Sequence, residues 1–206
     1  MISKYFIMFN NIIKMLKSRK YTEIAIHEKS KEPKYKPLNT IKKDEFNEIK
    51  PPYIIYGKKG EKKIIIYLEE SGDNSSSVIK SVVNTTVNLV EKYDINEAII
   101  IINSVKSKHT SIQTSIDLMF MSYSEFEINP FDNIATPQQE LVEDESILPF
   151  SKSEIPVITT NDRIVRWLGG NPDQILLIYR IDINKIVSPV FKRINKIIEK
   201  DQKTKK

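Results

Sequence analysis

The first half of this 206-residue chain is organised around two stretches, Tyr53-Ile-Ile-Tyr56 and Lys63-Ile-Ile-Ile-Tyr-Leu68. Both are short runs of β-branched and aromatic residues, a composition that favours β-strands. They are separated by Gly57-Lys-Lys-Gly60, and a short connection bounded by glycine is typical of a β-hairpin. The sequence therefore predicts two paired strands from which a sheet can grow.

Further elements are predicted on the C-terminal side of this hairpin. The serine-rich stretch 71–77 supplies N-cap candidates, and a stripe at helical spacing follows: Val78, Val82, Leu89, Val90 and Tyr93. The run Ala98-Ile-Ile-Ile-Ile102 has the length and β-branching of a buried strand. A capping box, Thr110-Ser-Ile-Gln113, then predicts a helix that carries Ile112, Ile116, Met119 and Phe120. Phe126 and Ile128 alternate with polar residues, which predicts another strand.

The chain before the hairpin contains a helix and a long loop. Apolar residues at the spacing of one helical face predict a first helix that ends near Arg19: Ile2, Tyr5, Phe6, Phe9, Ile12, Ile13 and Leu16. Residues 29–52 are polar and carry several prolines, so they are predicted to form a loop. Residues 1–130 are therefore predicted to form an α/β or α+β domain in the order helix, hairpin, helix, strand, helix, strand.

A second, smaller domain is predicted over residues 131–206. Prolines and acidic residues at 130–150 mark the boundary, and a short helix follows, capped by Asn161 or Asp162 and ended by Gly169-Gly170. Ile175-Leu-Leu-Ile-Tyr179 is a predicted strand that residues 185–194 could pair with, before a lysine-rich basic tail. The whole chain is accordingly predicted to be α+β, an α/β domain followed by a small mixed α/β domain.

Composition excludes several kinds of site. The chain has no cysteine, which excludes disulfides, thiolate metal sites and cysteine nucleophiles. Its two histidines, His27 and His109, lie far apart, so we expect no metal and no cofactor. The longest apolar run, 98–102, is far shorter than the ~20 residues that span a bilayer. Residues 1–16 are interrupted by polar side chains and are predicted to be a helix and not a signal peptide.

Charge is distributed unevenly along the chain. The formal net charge is +5, with basic residues concentrated at 14–43 and in the C-terminal tail and acidic residues at 125–154. This asymmetry permits contact with nucleic acid or with an acidic protein surface. The alternative is a solvated surface in a lysine-rich protein.

One block of the second domain resembles a known family. The block consists of Ile155-Pro156, then Asn161-Asp-Arg-Ile-Val-Arg-Trp-Leu-Gly-Gly170, then Gln174-Ile-Leu-Leu-Ile-Tyr-Arg180. It is similar to the C-terminal assembly domain of the family that contains the shared fifth subunit of eukaryotic RNA polymerases and its archaeal counterpart. That domain has Leu-Pro, an Asp-Pro-Val-Ala-Arg-Tyr helix, a glycine and a strand ending in arginine in this order. The resemblance implies a subunit interface at Glu140, Asp162, Arg166, Trp167, Gly169 and Arg180.

The resemblance continues upstream. The stretch from Ile134 to Glu140-Leu-Val142 resembles the family's Asn-Ile-Thr-x-His-Glu-Leu-Val junction, and Glu97-Ala-Ile-Ile-Ile-Ile102 resembles its Arg-Ala-Ile-Ile-Val strand. Lys17-Ser-Arg-Lys-Tyr21 resembles the Arg-Gly-Tyr end of its first helix, so residues 1–130 correspond to its jaw domain. The family's Arg-Pro-Ser-Glu-Thr-Ala-Gly loop is replaced by Ile181-Asp-Ile-Asn-Lys185. This divergence is similar to versions in nucleocytoplasmic large DNA viruses.

The resemblance implies a structural role and not an enzyme. The assembly domain would dock on the largest polymerase subunit, and the jaw would help to hold downstream double-stranded DNA through its backbone, without reading sequence. The family's Thr-Pro-Ser-Ala element corresponds here to Ser107-Lys-His-Thr110, which implies DNA contacts from Lys106, Ser107, Lys108, His109 and Thr110. The implied location is the nucleus, or host cytoplasm and virion for a viral protein.

Two other functions stay open from the residues alone. The first is a metal-dependent nuclease of restriction-endonuclease-like fold, which needs paired carboxylates and a lysine. Glu61-Lys62-Lys63 matches the Glu-x-Lys part of such a site, but no Pro-Asp precedes it at suitable spacing. A free DNA-binding module would share the basic patches.

Simpler roles also exist for several of the residues singled out above. Asp162 and Thr110 could be ordinary helix caps. Arg166 and Arg180 could form surface ion pairs, and Trp167 could be part of a core.

Overall fold

The fold is α+β, as predicted. A computed structural model of the chain describes residues 3–28, 31–106, 109, 116–129, 138–142, 157–159, 163–170, 175–182 and 185–195. The chain divides into two compact units, Met1–Asn129 and Pro130–Lys206, and this division lies one residue from the predicted boundary.

The first unit contains a five-stranded mixed sheet with strand order β1-β2-β3-β4-β5. Its elements are α1 (Lys4–Ser18), β1 (Glu23–Ile26), α2 (Lys43–Glu48), β2 (Tyr53–Lys59), β3 (Lys62–Leu68), α3 (Ser76–Tyr93), β4 (Glu97–Ile102), β5 (Asp117–Ser122) and a 3-10 turn (Tyr123–Glu125). The first three strands are antiparallel, and the pairs β3–β4 and β4–β5 are parallel. The predicted hairpin is therefore confirmed as β2 and β3, and α3 is the crossover that makes β4 parallel to β3.

Helix α1 covers one face of the sheet with its predicted apolar stripe. The buried side chains of this helix are Met8, Phe9, Ile12, Ile13, Met15 and Leu16. Gly57 lies beneath the helix, where an added Cβ would stand 2.9 Å from Ile64 Cγ2 and 3.0 Å from Leu16 Cδ2. The missing side chain at Gly57 thus allows the helix to approach the sheet closely.

Helix α3 covers the opposite face. Its buried residues Ile79, Val82, Val83 and Val90 join one core cluster with side chains of the sheet such as Tyr56, Ile65, Ile100 and Phe120. Ser75 caps the helix by accepting a hydrogen bond from the Val78 N–H, as the serine-rich stretch predicted. The first unit is therefore a three-layer sandwich of helix, sheet and helix.

The end of α1 adopts the backbone geometry of a Schellman motif. The Tyr21 N–H donates to the Leu16 carbonyl at 3.0 Å and the Lys20 N–H to the Lys17 carbonyl at 2.9 Å. Lys20 has φ +67°, a left-handed conformation in which a side chain is strained and glycine is favoured.

Replacing Lys20 with glycine should stabilise the protein. Removing the Cβ from a left-handed residue relieves more strain than the added flexibility of the unfolded chain costs, so we expect the free energy of unfolding to rise by about 0.5–1 kcal/mol. Lys20→Ala is the matched control, because it removes the charge but keeps the Cβ. Denaturant unfolding of both variants checks this, and an equal change in the two would contradict the backbone explanation.

Two predicted elements near the end of the first unit were wrong. Met119 and Phe120 belong to strand β5 and not to a helix, because they pair with β4 in continuous register, Ile100 opposite Phe120. Residues 110–115, where the predicted helix begins, lie outside the described residues. Phe126 and Ile128 are not in a strand either. A capping box between Ser122 and Glu125 turns the chain there, Phe126 is buried, and Ile128 is 70% exposed.

The segment 29–52 is more structured than the predicted loop. It contains α2, whose Phe46 is buried and lies with its ring centroid 5.5 Å from that of Phe9 and 5.3 Å from that of Tyr53. Strand β1, just before this segment, was not predicted. Both elements are short, so their tertiary contacts and not their propensities stabilise them.

The second unit has a four-stranded sheet with order β6-β8-β9-β7. Its elements are β6 (Gln138–Val142), β7 (Val157–Thr159), α4 (Arg163–Leu168), β8 (Ile175–Asp182) and β9 (Lys185–Asn195). The predicted pairing of β8 with the segment after it is confirmed and antiparallel. Gly169 has φ +71° and ends α4 as predicted, whereas β6 and β7 were not predicted. The basic tail after residue 195 lies outside the described residues.

Candidate nucleic-acid interface

Strands β3, β4 and β5 are parallel, so their carboxyl ends meet at one edge of the first sheet. The residues that follow these strands are Glu69, Asn103 and Tyr123. Ligand sites of α/β sheets form at this edge. The predicted DNA-contact residues, 106–110, follow β4 here, so this carboxyl edge is the candidate interface.

Glu69 organises the loop at this edge. Its side chain is buried, 4% exposed, and its carboxylate accepts hydrogen bonds from the N–H groups of Ser71 at 2.7 Å and Gly72 at 3.0 Å. The Tyr123 hydroxyl lies 3.2 Å from the same carboxylate and also donates to the Glu69 carbonyl oxygen. The two amides of this turn are thus occupied by the protein's own carboxylate and do not face an external phosphate.

Side-chain hydrogen bonds tie the rest of this loop to its neighbours. Asn103 Nδ2 donates to the Gly72 carbonyl at 3.3 Å, and Asn74 Nδ2 donates to Ser104 Oγ at 2.8 Å. Asp73 accepts from the Ser75 N–H at 2.7 Å, next to the start of α3. The loop between β3 and α3 is therefore fixed in place by its own hydrogen bonds.

Tyr123 connects this edge to the start of α1. Lys4 Nζ lies 5.0 Å from the ring centroid of Tyr5 and 5.1 Å from that of Tyr123, which is cation–π distance. The Tyr5 hydroxyl donates to the Glu70 carbonyl at 2.5 Å. Burial, and then the negative charge of Glu69, raises the pKa of Tyr123 well above its ordinary value.

The predicted DNA-contact residues do not all lie at the surface. Lys106 is exposed, and Ser107, Lys108 and Thr110 lie outside the described residues. His109 is 2% exposed. Its ring Nδ1 accepts a hydrogen bond from the backbone N–H of Lys106 at 3.2 Å, and its backbone N–H donates to the Lys106 carbonyl at 2.8 Å. The prediction that His109 contacts DNA was wrong, because its ring packs inside, 5.8 Å from the Phe120 ring.

The predicted interface residues of the second unit are placed by α4 and the strands. Arg166 is half-buried and Gly169 exposed, whereas Trp167 is 0% exposed. Trp167 is thus a core residue and not a surface contact, as its large apolar ring favours. Glu140 lies in β6 and Arg180 in the neighbouring strand β8.

Asp162, the remaining predicted interface residue, lies outside the described residues. Its predicted role as the cap of α4 therefore stays a prediction.

The Glu-x-Lys triplet considered for a nuclease lies away from the carboxyl edge. Glu61 is exposed in the turn before β3, and Lys63 is at the start of that strand, whereas Glu69 follows its other end. Lys63 Nζ donates to the Tyr93 carbonyl at 3.0 Å. Within the described residues, no group of three or more His, Asp or Glu side chains could hold a metal ion.

The sequence matches no protein-family model, and no curated protein matches it either. Among the helices of the described residues, none is long and apolar enough to cross a membrane.

Sequence reasoning missed two groups of buried polar residues. Glu69 and Tyr123 form the hub of the carboxyl edge, and nothing in their local sequence distinguishes them from solvated residues. At the opposite edge, the buried Arg19 guanidinium lies 3.8 Å from the Glu97 carboxylate. Burial lowers the pKa of Arg19, and burial together with Glu97 raises the pKa of Tyr21 to about 12.

The pKa of Tyr123 predicts a loss of stability in alkaline solution. Because its folded-state pKa is raised, the unfolded chain ionises first, above pH 10, so stability present below that pH is lost as pH rises. Each such group contributes a slope of up to about 1.4 kcal/mol per pH unit. We expect Tyr123→Phe to be less stable by about 1–3 kcal/mol at neutral pH, since Glu69 loses a donor, but to lose stability less steeply above pH 10.

Denaturant unfolding as a function of pH measures this slope. Glu69→Gln is the companion variant, because it removes the negative charge beside Tyr123 and keeps the side-chain shape. In the Glu69→Gln variant, tyrosine ionisation should begin at lower pH, as measured by ultraviolet absorbance. An alkaline slope unchanged in Tyr123→Phe would contradict the role of this hydroxyl.

Proposed function

We propose that this chain is a non-catalytic subunit of a multisubunit DNA-dependent RNA polymerase. The observation that carries the proposal is the order of elements in the second unit. Helix α4 contains Arg166 and Trp167, ends at Gly169 with φ +71°, and is followed by strand β8 with Arg180. This is the order of helix, glycine and arginine-bearing strand in the assembly domain that the sequence resembles.

The first unit supplies independent support at the end of α1. The family's Arg-Gly-Tyr motif needs a conformation that glycine favours at its centre, and Lys20 has that conformation here, φ +67°. Glu97, at the start of β4, stands where the family has arginine, so the ion pair between Arg19 and Glu97 is a departure of this chain from the family pattern.

The carboxyl edge suits contact with a DNA backbone. Binding to phosphates needs positive charge, hydroxyl donors and no reading of bases. Lys106 and the serines Ser76, Ser77 and Ser104 are exposed at this edge, and so is the carboxylate of Asp73, whereas the carboxylates of Glu69 and Glu125 are buried. The protein would act in the nucleus, or in host cytoplasm and virion if a large DNA virus encodes it.

Affinity purification of a C-terminally tagged copy tests the proposal directly. The two largest polymerase subunits should be recovered with the chain in equal proportion after a moderate-salt wash, as identified by mass spectrometry. Recovery of the chain alone would overturn the proposal, and a nuclease assay with magnesium would then separate the two remaining functions.

Charge reversal at Arg166 should release the subunit from the assembly. Trp167 is unsuitable for this test because its burial makes any substitution a folding defect. Removing one partner of a charged contact at an interface costs several kcal/mol, so we expect recovery of Arg166→Glu with the largest subunit to fall by about tenfold or more. Lys80→Glu on the exposed face of α3 is the matched control. Equal recovery of the two variants would contradict an interface at α4.

Neutralising Lys106 and Lys108 should weaken retention of downstream DNA equally for all sequences. For the double variant Lys106→Gln and Lys108→Gln, we expect the slope of log affinity against log salt to decrease by about 0.9 for each phosphate that is no longer bound. The matched control is Lys59→Gln with Lys62→Gln, two exposed lysines of the β2–β3 hairpin. Salt-dependent binding of the assembled enzyme to duplexes of different sequence measures both, and a sequence-dependent loss would contradict backbone contact.

A further inference from the structure

The turn of the β2–β3 hairpin extends past the rest of the first sheet. Strand β1 pairs with the hairpin as far as Lys58, and β4 pairs with it from Ile64 onward. The residues between these two positions that no neighbouring strand pairs with include 59–62, which we call the hairpin tip. The tip is therefore a two-stranded projection at the opposite end of β3 from the carboxyl edge.

Lysines stand directly opposite each other in this hairpin. The register pairs Lys59 with Lys62 and Lys58 with Lys63. Like charges that face each other across two strands destabilise the pairing. A hairpin with two such pairs is less stable than its backbone allows, and a bound polyanion would remove the repulsion.

The pair at the base of the hairpin is compensated within the protein. Lys58 faces Glu23 of β1 in register. Lys63 Nζ donates to the Tyr93 carbonyl at 3.0 Å and lies 3.9 Å from Asp94 Oδ2. The repulsion that remains is therefore the one between the two lysines of the tip.

A third lysine lies beside the base of the hairpin. The Thr22 N–H donates to the Lys58 carbonyl at 3.2 Å, which holds the end of α1 next to β2. Lys20, two residues before Thr22, is exposed. The end of α1 thus adds a positive charge next to the tip.

Positive charge exceeds negative charge at this surface. Lys20, Lys59 and Lys62 are exposed, and Glu61 is the exposed acidic residue of the tip, so three positive charges stand against one negative charge. None of the three lysines forms an ion pair within the described part of the chain. The surface can accordingly bind a polyanion without first breaking internal contacts.

The shape of the tip suits the major groove of a DNA duplex. Two residues of each strand project, which is about 7 Å at about 3.3 Å per residue. The major groove of B-DNA is about 8.5 Å deep and about 12 Å wide, and it admits a two-stranded β-ribbon. Lysine ammonium groups bind phosphates as point charges, so the tip needs no base-reading side chain.

We propose that the hairpin tip binds double-stranded DNA by entering its major groove, with Lys20, Lys59 and Lys62 on the phosphates of the groove walls. The proposal does not rest on the polymerase assignment. A straight duplex that crosses the carboxyl edge does not contact the tip, because the two lie at opposite ends of β3. The tip lysines therefore remain a control for DNA held at that edge in an assembled enzyme.

Fluorescence anisotropy of the isolated full chain with a short DNA duplex, at several salt concentrations, tests the proposal. For Lys59→Gln with Lys62→Gln, we expect the slope of log affinity against log salt to decrease by about 0.9 for each phosphate that is no longer bound. Lys80→Gln with Lys92→Gln, two exposed lysines of α3, removes the same charge and should leave the slope unchanged. Removing like charges from the tip should not lower the unfolding midpoint, so lost binding cannot be a folding defect. Equal slopes for the two double variants would overturn the proposal.

Nuclear magnetic resonance of the isotope-labelled chain locates the contact. The duplex should shift the amide signals of Gly60 and Lys62, whatever happens at Asn103 and Lys106. Shifts confined to Asn103 and Lys106 would overturn this proposal and leave the polymerase proposal standing. Shifts confined to the tip would support this proposal and remove support from the carboxyl edge.

Two competitors distinguish the groove of DNA from other polyanions. A duplex RNA of the same sequence should bind about three- to tenfold more weakly, because the major groove of A-form RNA is too narrow for side chains to enter. Polyglutamate of equal charge should compete poorly, since it offers no groove. Equal binding of the RNA duplex, or equal competition by polyglutamate, would show binding to any polyanion and would overturn the proposal.

Discussion

The first unit depends on the burial of its central strands from both faces. Strands β3 and β4 consist largely of isoleucine, and Ile64, Ile65, Ile66, Ile100 and Ile101 have 0% of their surface exposed. A strand with no polar face must be covered on each side, so one helix is needed above the sheet and one below. Helix α1 meets this requirement where Gly57 permits close approach, and α3 meets it on the other face.

This arrangement also determines which residues lie at the carboxyl edge of the sheet. Parallel pairing brings the ends of β3, β4 and β5 to one edge, and the turn after β3 would be a ready anion site if its amides were free. The Glu69 carboxylate already accepts hydrogen bonds from those amides, and it accepts one from the Tyr123 hydroxyl as well. The amides of this turn are therefore not available to a bound phosphate, whereas Lys106 is exposed.

The errors of sequence reasoning have a common physical origin. Thr110-Ser-Ile-Gln113 and Ser122-Tyr-Ser-Glu125 both have the pattern of a capping box, and local sequence does not show that the second one turns the chain beside the edge strand β5. The resemblance placed His109 among the DNA contacts because of its position in the motif, whereas its ring is buried and accepts a hydrogen bond from the Lys106 N–H. Short elements such as β1 and α2 carry little periodicity, since contacts with distant residues stabilise them.

The sequence by itself determined the α+β class, the hairpin, helices α1 and α3, the buried strand β4 and the pairing of β8 with β9. These follow from apolar periodicity, β-branching and capping residues, which act over a few positions of the chain. Only the tertiary structure decided that Glu69 contacts Tyr123, that Arg19 lies beside Glu97, that Trp167 is buried, and that Phe46 of α2 packs against Phe9. Each of these depends on residues brought together from distant parts of the chain, where burial and desolvation, and not local spacing, decide the contact.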